Sequence, residues 1–126
     1  MPYVEILAPP VLPETRQAVA EGVTAGICEA FAVGPQTVTL YFLDVAGAHY
    51  AHAGRAGEAA GTQRIFVKVH AYRRGVAERR AAAAALTPAL ARHYGVPEAT
   101  LAIYFFDRAK DEVAHGGRLS SDVQPD

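Results

Sequence analysis

The sequence predicts an α+β fold, with tandem β-α-β units forming a four-stranded sheet and two helices on one face of it. Two observations carry that prediction. The chain matches itself at an offset of 63 residues: Val33–Asp44 lies over Val96–Asp107 with five of twelve positions identical. At the same offset Tyr50–Arg55 lies over Val113–Arg118 with four of six identical. A fixed offset across two blocks without a gap marks an internal duplication. Each copy also reads as a strand, a helix, a second strand and a short glycine-containing hairpin.

In the first copy, Tyr3 to Ala8 is apolar and partly β-branched, which favours a strand. Pro13-Glu14 suits a first helical turn, where proline needs no donor and glutamate meets the positive end of the helix dipole. Val19, Val23, Ile27 and Phe31 then form a stripe at i, i+4 spacing. Gly34 is the expected stop for this helix. In the second copy Ile65 to Ala71 is the equivalent strand, and Ala82, Leu86, Leu90 and Tyr94 are the equivalent stripe. Pro88 conflicts with this helix, so a kink or break is expected near it. Gly95-Val96-Pro97 should end it. The seven residues after Leu119 are polar and are expected to be loose.

A single helix between two strands makes a parallel pair by a right-handed crossover. The strands of neighbouring copies are expected to run parallel as well. The second strands are apolar on both faces. Val38, Leu40 and Phe42 oppose Tyr41 and Leu43; Leu101, Ile103 and Phe105 oppose Tyr104 and Phe106. Helices cover one face, so the other is expected to be buried by another subunit, making the protein an obligate homo-oligomer. Residues 1–126 are read as one domain of two repeats, about 2–58 and 65–119.

The composition excludes several classes. The net charge of −1 gives no reason to expect nucleic acid or an anionic membrane as partner. Arg79 and Arg80 are read as a solvated helix start. Cys28 has no CxxC partner and reads as a packed thiol. No basic segment followed by an apolar one opens the chain, so no signal peptide is expected and the cytoplasm is the expected location. The Ala81–Ala85 run is too short to span a bilayer. No phosphate-binding glycine loop and no metal-ligand spacing occur, so neither a metal nor a cofactor is expected.

Function should lie where the duplication breaks its own symmetry. Pro2 falls opposite Ile65. Cleavage after Met1 would leave Pro2 as a secondary amine with a basic lone pair. A free α-amino group titrates near pH ~7.7–8.0, and apolar surroundings lower that by disfavouring the cation. Such an amine suits a general base at neutral pH. Retention of Met1 would instead make that nitrogen an amide with no base. Arg73 and Arg74 fall opposite Pro10 and Val11 in a loop closed by Gly75. Guanidinium forks bind carboxylates, so the pair points to a small carboxylate substrate. Tyr50 is unmatched, since Val113 takes its place. His52 and His115, like Arg55 and Arg118, are repeated, which favours a hairpin role for at least one of each. Tyr41 and Tyr104 read as packed tyrosines.

Met1-Pro2 opening a strand, the β-α-β unit and the Gly116-Gly117-Arg118-Leu119 hairpin together resemble the tautomerase superfamily. The likeness is to a fused long member in which two units similar to 4-oxalocrotonate tautomerase are joined. The resemblance implies an amino-terminal proline acting without cofactor, arginines that hold the substrate carboxylate, and a trimer. It assigns Pro2 as the catalytic proline, Tyr50 as a pocket aromatic, and Arg73 and Arg74 as substrate-binding residues. A similarity to the cis-3-chloroacrylic acid dehalogenase group further implies that Tyr104 positions water and that His115 activates it. The chain departs from these patterns at three places. Thr39 and Ala102 stand where the short enzymes carry a second arginine, Ile27 where the dehalogenases carry a histidine, and His115 where a carboxylate is expected. The leading expectation is a tautomerase that moves a proton α to a carbonyl of a small 2-oxo or dienol acid. The alternatives are a hydratase, dehalogenase or decarboxylase using protonated Pro2 on an unsaturated or 3-oxo acid, and a non-catalytic oligomeric binding protein.

Overall fold

The computed structural model describes residues 2–124. The elements follow the duplicated order. β1 (Tyr3–Ala8), α1 (Pro13–Phe31) and β2 (Thr39–Asp44) are followed by the β3–β4 hairpin (Ala51–His52 and Arg55–Ala56). β5 (Ile65–Tyr72), α2 (Val76–Tyr94) and β6 (Leu101–Arg108) are followed by the β7–β8 hairpin (Ala114–His115 and Arg118–Leu119) and a one-turn helix α3 (Ser120–Val123). The four long strands form one sheet in the order β2-β1-β5-β6. The β1–β2 and β5–β6 pairs are parallel, as each β-α-β unit requires.

The two copies meet antiparallel, contrary to the expected parallel arrangement: Tyr3 pairs with His70 and Leu7 with Phe66. The link after the first hairpin supplies no crossover helix, and only a crossover would return the chain parallel to β1. Glu5 and Lys68, equivalent positions in the two copies, face each other. An approximate two-fold axis therefore passes between them, and each end of the sheet combines one copy's strand starts with the other's strand ends.

The core lies between the helices and one sheet face. Val4, Ile6 and Ala8 of β1 and Ile65, Val67 and Val69 of β5 alternate into it. They meet Val19, Val23, Ile27 and Phe31 of α1 and Ala82, Leu86 and Leu90 of α2, the stripe residues of both copies except Tyr94, which packs against the cluster's edge. α1 and α2 approach closely at small residues. A Cβ added at Gly22 would lie 3.7 Å from the Ala89 Cβ, and one at Gly26 would lie 3.0 Å from Leu86 Cδ2.

Four local expectations are corrected. α1 ends at Phe31 rather than running to Gly34, because Ala32 takes the left-handed conformation (φ 54°) that closes a helix C-terminus. α2 runs unbroken through Pro88. Pro88 and Ala84, whose carbonyl loses its donor, are both exposed, so water can satisfy that carbonyl. Arg79 is not a solvated residue. Its Nη1 donates to Asp107 Oδ2 at 2.7 Å and to the Arg74 carbonyl at 2.8 Å, tying the start of α2 to the end of β6. Finally, the chain after Leu119 is not loose at its start: it forms the turn Ser120–Val123, anchored at Ser120, while Asp122, Val123 and Gln124 are exposed. Ser120 is buried, its N–H donates to the Val113 carbonyl, and its Oγ accepts from Tyr72. Pro125 and Asp126 lie outside the described residues, as does Met1.

Tyr94 at the end of α2 gives a pH signature. Burial, helped by Asp44 and opposed by Arg16, raises its pKa above the ordinary value near 10. Below pH 10 the phenol is neutral in folded and unfolded chains, and stability is undiminished. Above it the unfolded chain ionises first, so stability falls as pH rises towards the folded pKa. Tyr94→Phe is expected to flatten that alkaline slope in denaturant titrations run between pH 9 and 11; an unchanged slope would assign it to other groups.

The second face of the sheet carries no helix among the described residues. Tyr41, Tyr104, Leu43 and Tyr3 stand exposed on it, Tyr41 at 56% and Tyr104 at 52%. No described helix is long and apolar enough to cross a membrane.

Candidate active site

The antiparallel meeting of the copies decides what surrounds Pro2. It sits at the start of β1, beside the last residues of β5, and its carbonyl accepts the Thr39 N–H at 3.2 Å. The even-numbered residues of β1 face the helices, and Pro2 continues that series with its ring under 2% exposed. This is the apolar setting that lowers the basicity of an amine.

Arg73 and Arg74 follow β5 at this same sheet end. Arg73 is exposed, and its N–H donates to the Arg108 carbonyl at 3.1 Å. Arg74 is half-buried: its guanidinium lies 4.4 Å from the Phe31 ring centre, and Nη1 donates to the Tyr72 carbonyl at 2.7 Å. Burial lowers its pKa, while Asp107 and Glu78 act in the opposite sense. A guanidinium remains cationic at neutral pH even so. Arg74 is thus a held cation with donors to spare, and Arg73 an exposed one.

On the open face at this end lies a cleft of about 280 Å³ lined by Tyr3, His70, Ala71, Tyr72, Arg108, Val113 and His115. Three rings stack through it. His70 is parallel to Tyr3 at 4.1 Å and 3°, and to Phe106 at 4.7 Å and 19°. Glu5 Oε2 meets His70 Nε2 at 2.6 Å, in a half-buried pair. Of the residues expected to act, His115 and the two arginines come to the Pro2 end of the sheet. His70, Arg108, Tyr3 and Glu5 were not foreseen. The broken symmetry carried a signal for three of them, because at the 63-residue offset Lys68 replaces Glu5, His70 replaces Leu7 and Arg108 replaces Val45.

The structure places the other two residues elsewhere in the protomer. Tyr50 lies at the opposite end, where β2 finishes and β5 begins. Its hydroxyl accepts the Arg64 N–H at 3.0 Å. Tyr104 sits in mid-strand opposite Lys68 and stacks on Phe66 at 5.8 Å. Within one chain it is not brought to His115.

A sheet of two parallel pairs joined antiparallel, with paired helices on one face, is the arrangement of the tautomerase fold. Three-dimensional comparison agrees. F6 fused 4-OT, a wild-type asymmetric trimer, matches with a TM-score of 0.88 at 15% identity over 97% of this chain and 98% of that one. Pt0534 inactivated by 2-oxo-3-pentynoate matches at 0.86 and 22% identity, over 97% and 98%. N1, a member of the cis-3-chloroacrylic acid dehalogenase family, matches at 0.79 and 16% identity, over 93% and 82%. No protein-family model matches the sequence, and no curated protein does. At these identities the likeness is one of fold, and the fold is that of the tautomerase superfamily.

Proposed function

We propose that this chain is a cofactor-independent tautomerase of the fused kind, with Pro2 as its base and a small 2-oxo or dienol acid as its substrate. The observation that carries the reading is the antiparallel pairing of β1 with β5. It gathers Pro2, Arg73, Arg74, Arg108 and His115 at one end of the sheet. The opposite end has Ile65 in place of Pro2 and can offer no amine. The freed Pro2 nitrogen takes the proton α to the carbonyl, and the C–H electron pair enters the new C=C bond. Arg74, with Arg73 available beside it, holds the carboxylate and draws charge towards the developing enolate. The proton returns at another carbon, so no cofactor is consumed.

The assembly belongs to the same reading. The uncovered aromatic face is of the kind that another copy buries, and F6 fused 4-OT is a trimer. We propose a trimer for this chain. Tyr50 and Tyr104, remote from Pro2 within a protomer, would then reach a site only from a neighbouring copy.

The test uses an acetylenic 2-oxo acid. The purified protein is expected to have a mass lacking Met1. Incubation with 2-oxo-3-pentynoate should add one molecule per chain to the Pro2 nitrogen by conjugate addition to the triple bond, and should abolish turnover of a 2-hydroxydienoate. An unlabelled Pro2 with activity retained would overturn the assignment.

A further inference from the structure

We propose that Arg79 is a positioning residue for the reaction: anchored by Asp107, it holds the loop that sets the Arg74 guanidinium for the substrate carboxylate. The inference rests on the reading of Pro2 as the base and Arg74 as the carboxylate's cation, and it names what fixes that cation. Both groups lie on the helix side of the sheet. Pro2 continues the buried, helix-facing series of β1. Arg74 lies 4.4 Å from the ring centre of Phe31, the last residue of α1 and a member of the core. One step beyond the Tyr3–His70 pair stand Pro2 and Ala71, and Ala71 pairs in turn with Asp107. Asp107 continues the series Leu101, Ile103 and Phe105, which packs against the core. Neighbouring strands lie about 4.8 Å apart, so the Asp107 backbone stands about 10 Å from that of Pro2, across the small Ala71.

The loop that carries Arg74 is tied at each residue from Tyr72 to Gly75. The Tyr72 carbonyl accepts from Arg74 Nη1 at 2.7 Å, and the Arg73 N–H donates to the Arg108 carbonyl at 3.1 Å. The Arg74 carbonyl accepts from Arg79 Nη1 at 2.8 Å, and the Gly75 N–H donates to Glu78 Oε1 at 3.0 Å. Arg79 is the side chain that joins this loop to the sheet, because the same Nη1 donates to Asp107 Oδ2 at 2.7 Å. A terminal guanidinium nitrogen carries two N–H groups, so both bonds form at once. Fixing the Arg74 carbonyl fixes the peptide from which the Arg74 side chain departs. The cation benefits from being held, since burial opposes its charge while Asp107 and Glu78 support it.

The duplication separates the structural part of this arrangement from the rest. Arg16 and Asp44 are the equivalents of Arg79 and Asp107, and they tie helix to strand in the same way at 3.3 Å. The loop before α1 carries Pro10 and Val11 in place of Arg73 and Arg74. Among the described residues Arg16 makes no side-chain bond to that loop, and its Nε is buried without a partner. The arginine–aspartate tie therefore belongs to both copies. The further bond to the loop carbonyl exists only where the loop carries the cation and the sheet end carries the proline. Neither Arg79 nor Asp107 touches substrate in this scheme; both act through Arg74.

Steady-state kinetics on the Met1-free protein, with a 2-hydroxydienoate as substrate, test the role. Arg79→Gln is expected to raise KM about three- to tenfold, the range of one net hydrogen bond, with kcat lowered by less than about threefold. Arg16→Gln removes the equivalent tie of the first copy and is the control: its melting temperature should fall comparably while KM stays unchanged. In an Arg74→Gln background, Arg79→Gln should add nothing to KM, because its effect passes through Arg74. Asp107→Asn keeps the side chain's shape and one acceptor oxygen, so it reads the proposal even where Arg79→Gln fails to fold. It should give a smaller rise in KM, again absent without Arg74. Pro2 should still accept one 2-oxo-3-pentynoate per chain in every folded variant, showing that the base persists. If Arg74→Gln raises KM but Arg79→Gln and Asp107→Asn do not, or if their effects add in full to that of Arg74→Gln, the positioning role is wrong while Pro2 and Arg74 stand. An unchanged KM in Arg74→Gln overturns the role of both arginines and leaves Pro2. If the wild type neither turns over a 2-oxo acid nor labels at Pro2, all these assignments fall together.

Discussion

Pro2→Ala, prepared with Met1 fully removed, is expected to lower kcat by about 10²–10⁴, the range that a positioned general base contributes. Alanine leaves a primary amine at the same place, so the loss measures what the proline ring supplies. The ring fixes the direction of the nitrogen lone pair. It also fills an apolar recess: Pro2 is under 2% exposed among the core residues of β1. Alanine there would be smaller and its amine better hydrated, which raises its basicity and loosens its aim. A second variant separates base from packing. Retaining Met1, by placing before Pro2 a residue that blocks cleavage, leaves the ring in the chain but turns its nitrogen into an amide. That variant should fall to the uncatalysed background, further than Pro2→Ala. Intact-mass measurement of each preparation is the control. Full activity in a protein whose mass includes Met1 would exclude the amine as the base.

Much of the fold was legible because it is written twice. The 63-residue offset matched the strand, helix and hairpin of one copy to those of the other, and β1 was found at its expected bounds. The equivalence even runs past the hairpins, since Gly57–Ala60 and Ser120–Val123 are both short helical turns at the same offset. The orientation of the copies was not legible. Handedness rules govern a strand-helix-strand unit, and nothing of that kind spans the link between Ala60 and Ile65. This one relation controls the site. A parallel meeting of equivalent positions would have set Phe66, not His70, beside Tyr3, and the Arg73–Arg74 loop at the far end. The repeated aspartates acquire a reason as well. Asp107 accepts from Arg79 and Asp44 from Arg16, equivalent pairs that tie each helix start to its returning strand. Their retention is structural. His70 and Arg108 stand where the other copy has Leu7 and Val45, in and just after strands, where a polar replacement reads equally well as an ordinary exposed strand position.

The largest expected effect on stability comes from Leu86→Ala. Leu86 is fully buried, and its Cδ2 sits 3.0 Å from the position a Gly26 Cβ would take. It rests on the bare backbone of α1. Truncating a buried leucine costs about 2–5 kcal/mol, most where the surroundings cannot close the hole. Closure is restricted here, because the helices already touch one turn away, at Gly22 and Ala89. A loss near the upper half of that range is expected, read as a lower urea midpoint and a melting temperature reduced by on the order of 10 °C. Val23, the equivalent residue of the first copy, is one carbon smaller and also fully buried. Val23→Ala should therefore cost about 1 kcal/mol less. The contact itself is tested by pairing substitutions. Gly26→Ala alone should gain little, since its helix propensity is offset by crowding against Leu86 and against Ala85 Cβ at 3.3 Å. Combined with Leu86→Ala the new methyl enters vacated space, so the double variant should be more stable than the sum of the two changes predicts. Strict additivity would mean that Leu86 does not pack against Gly26, and that the close approach of the helices is set elsewhere along α1 and α2.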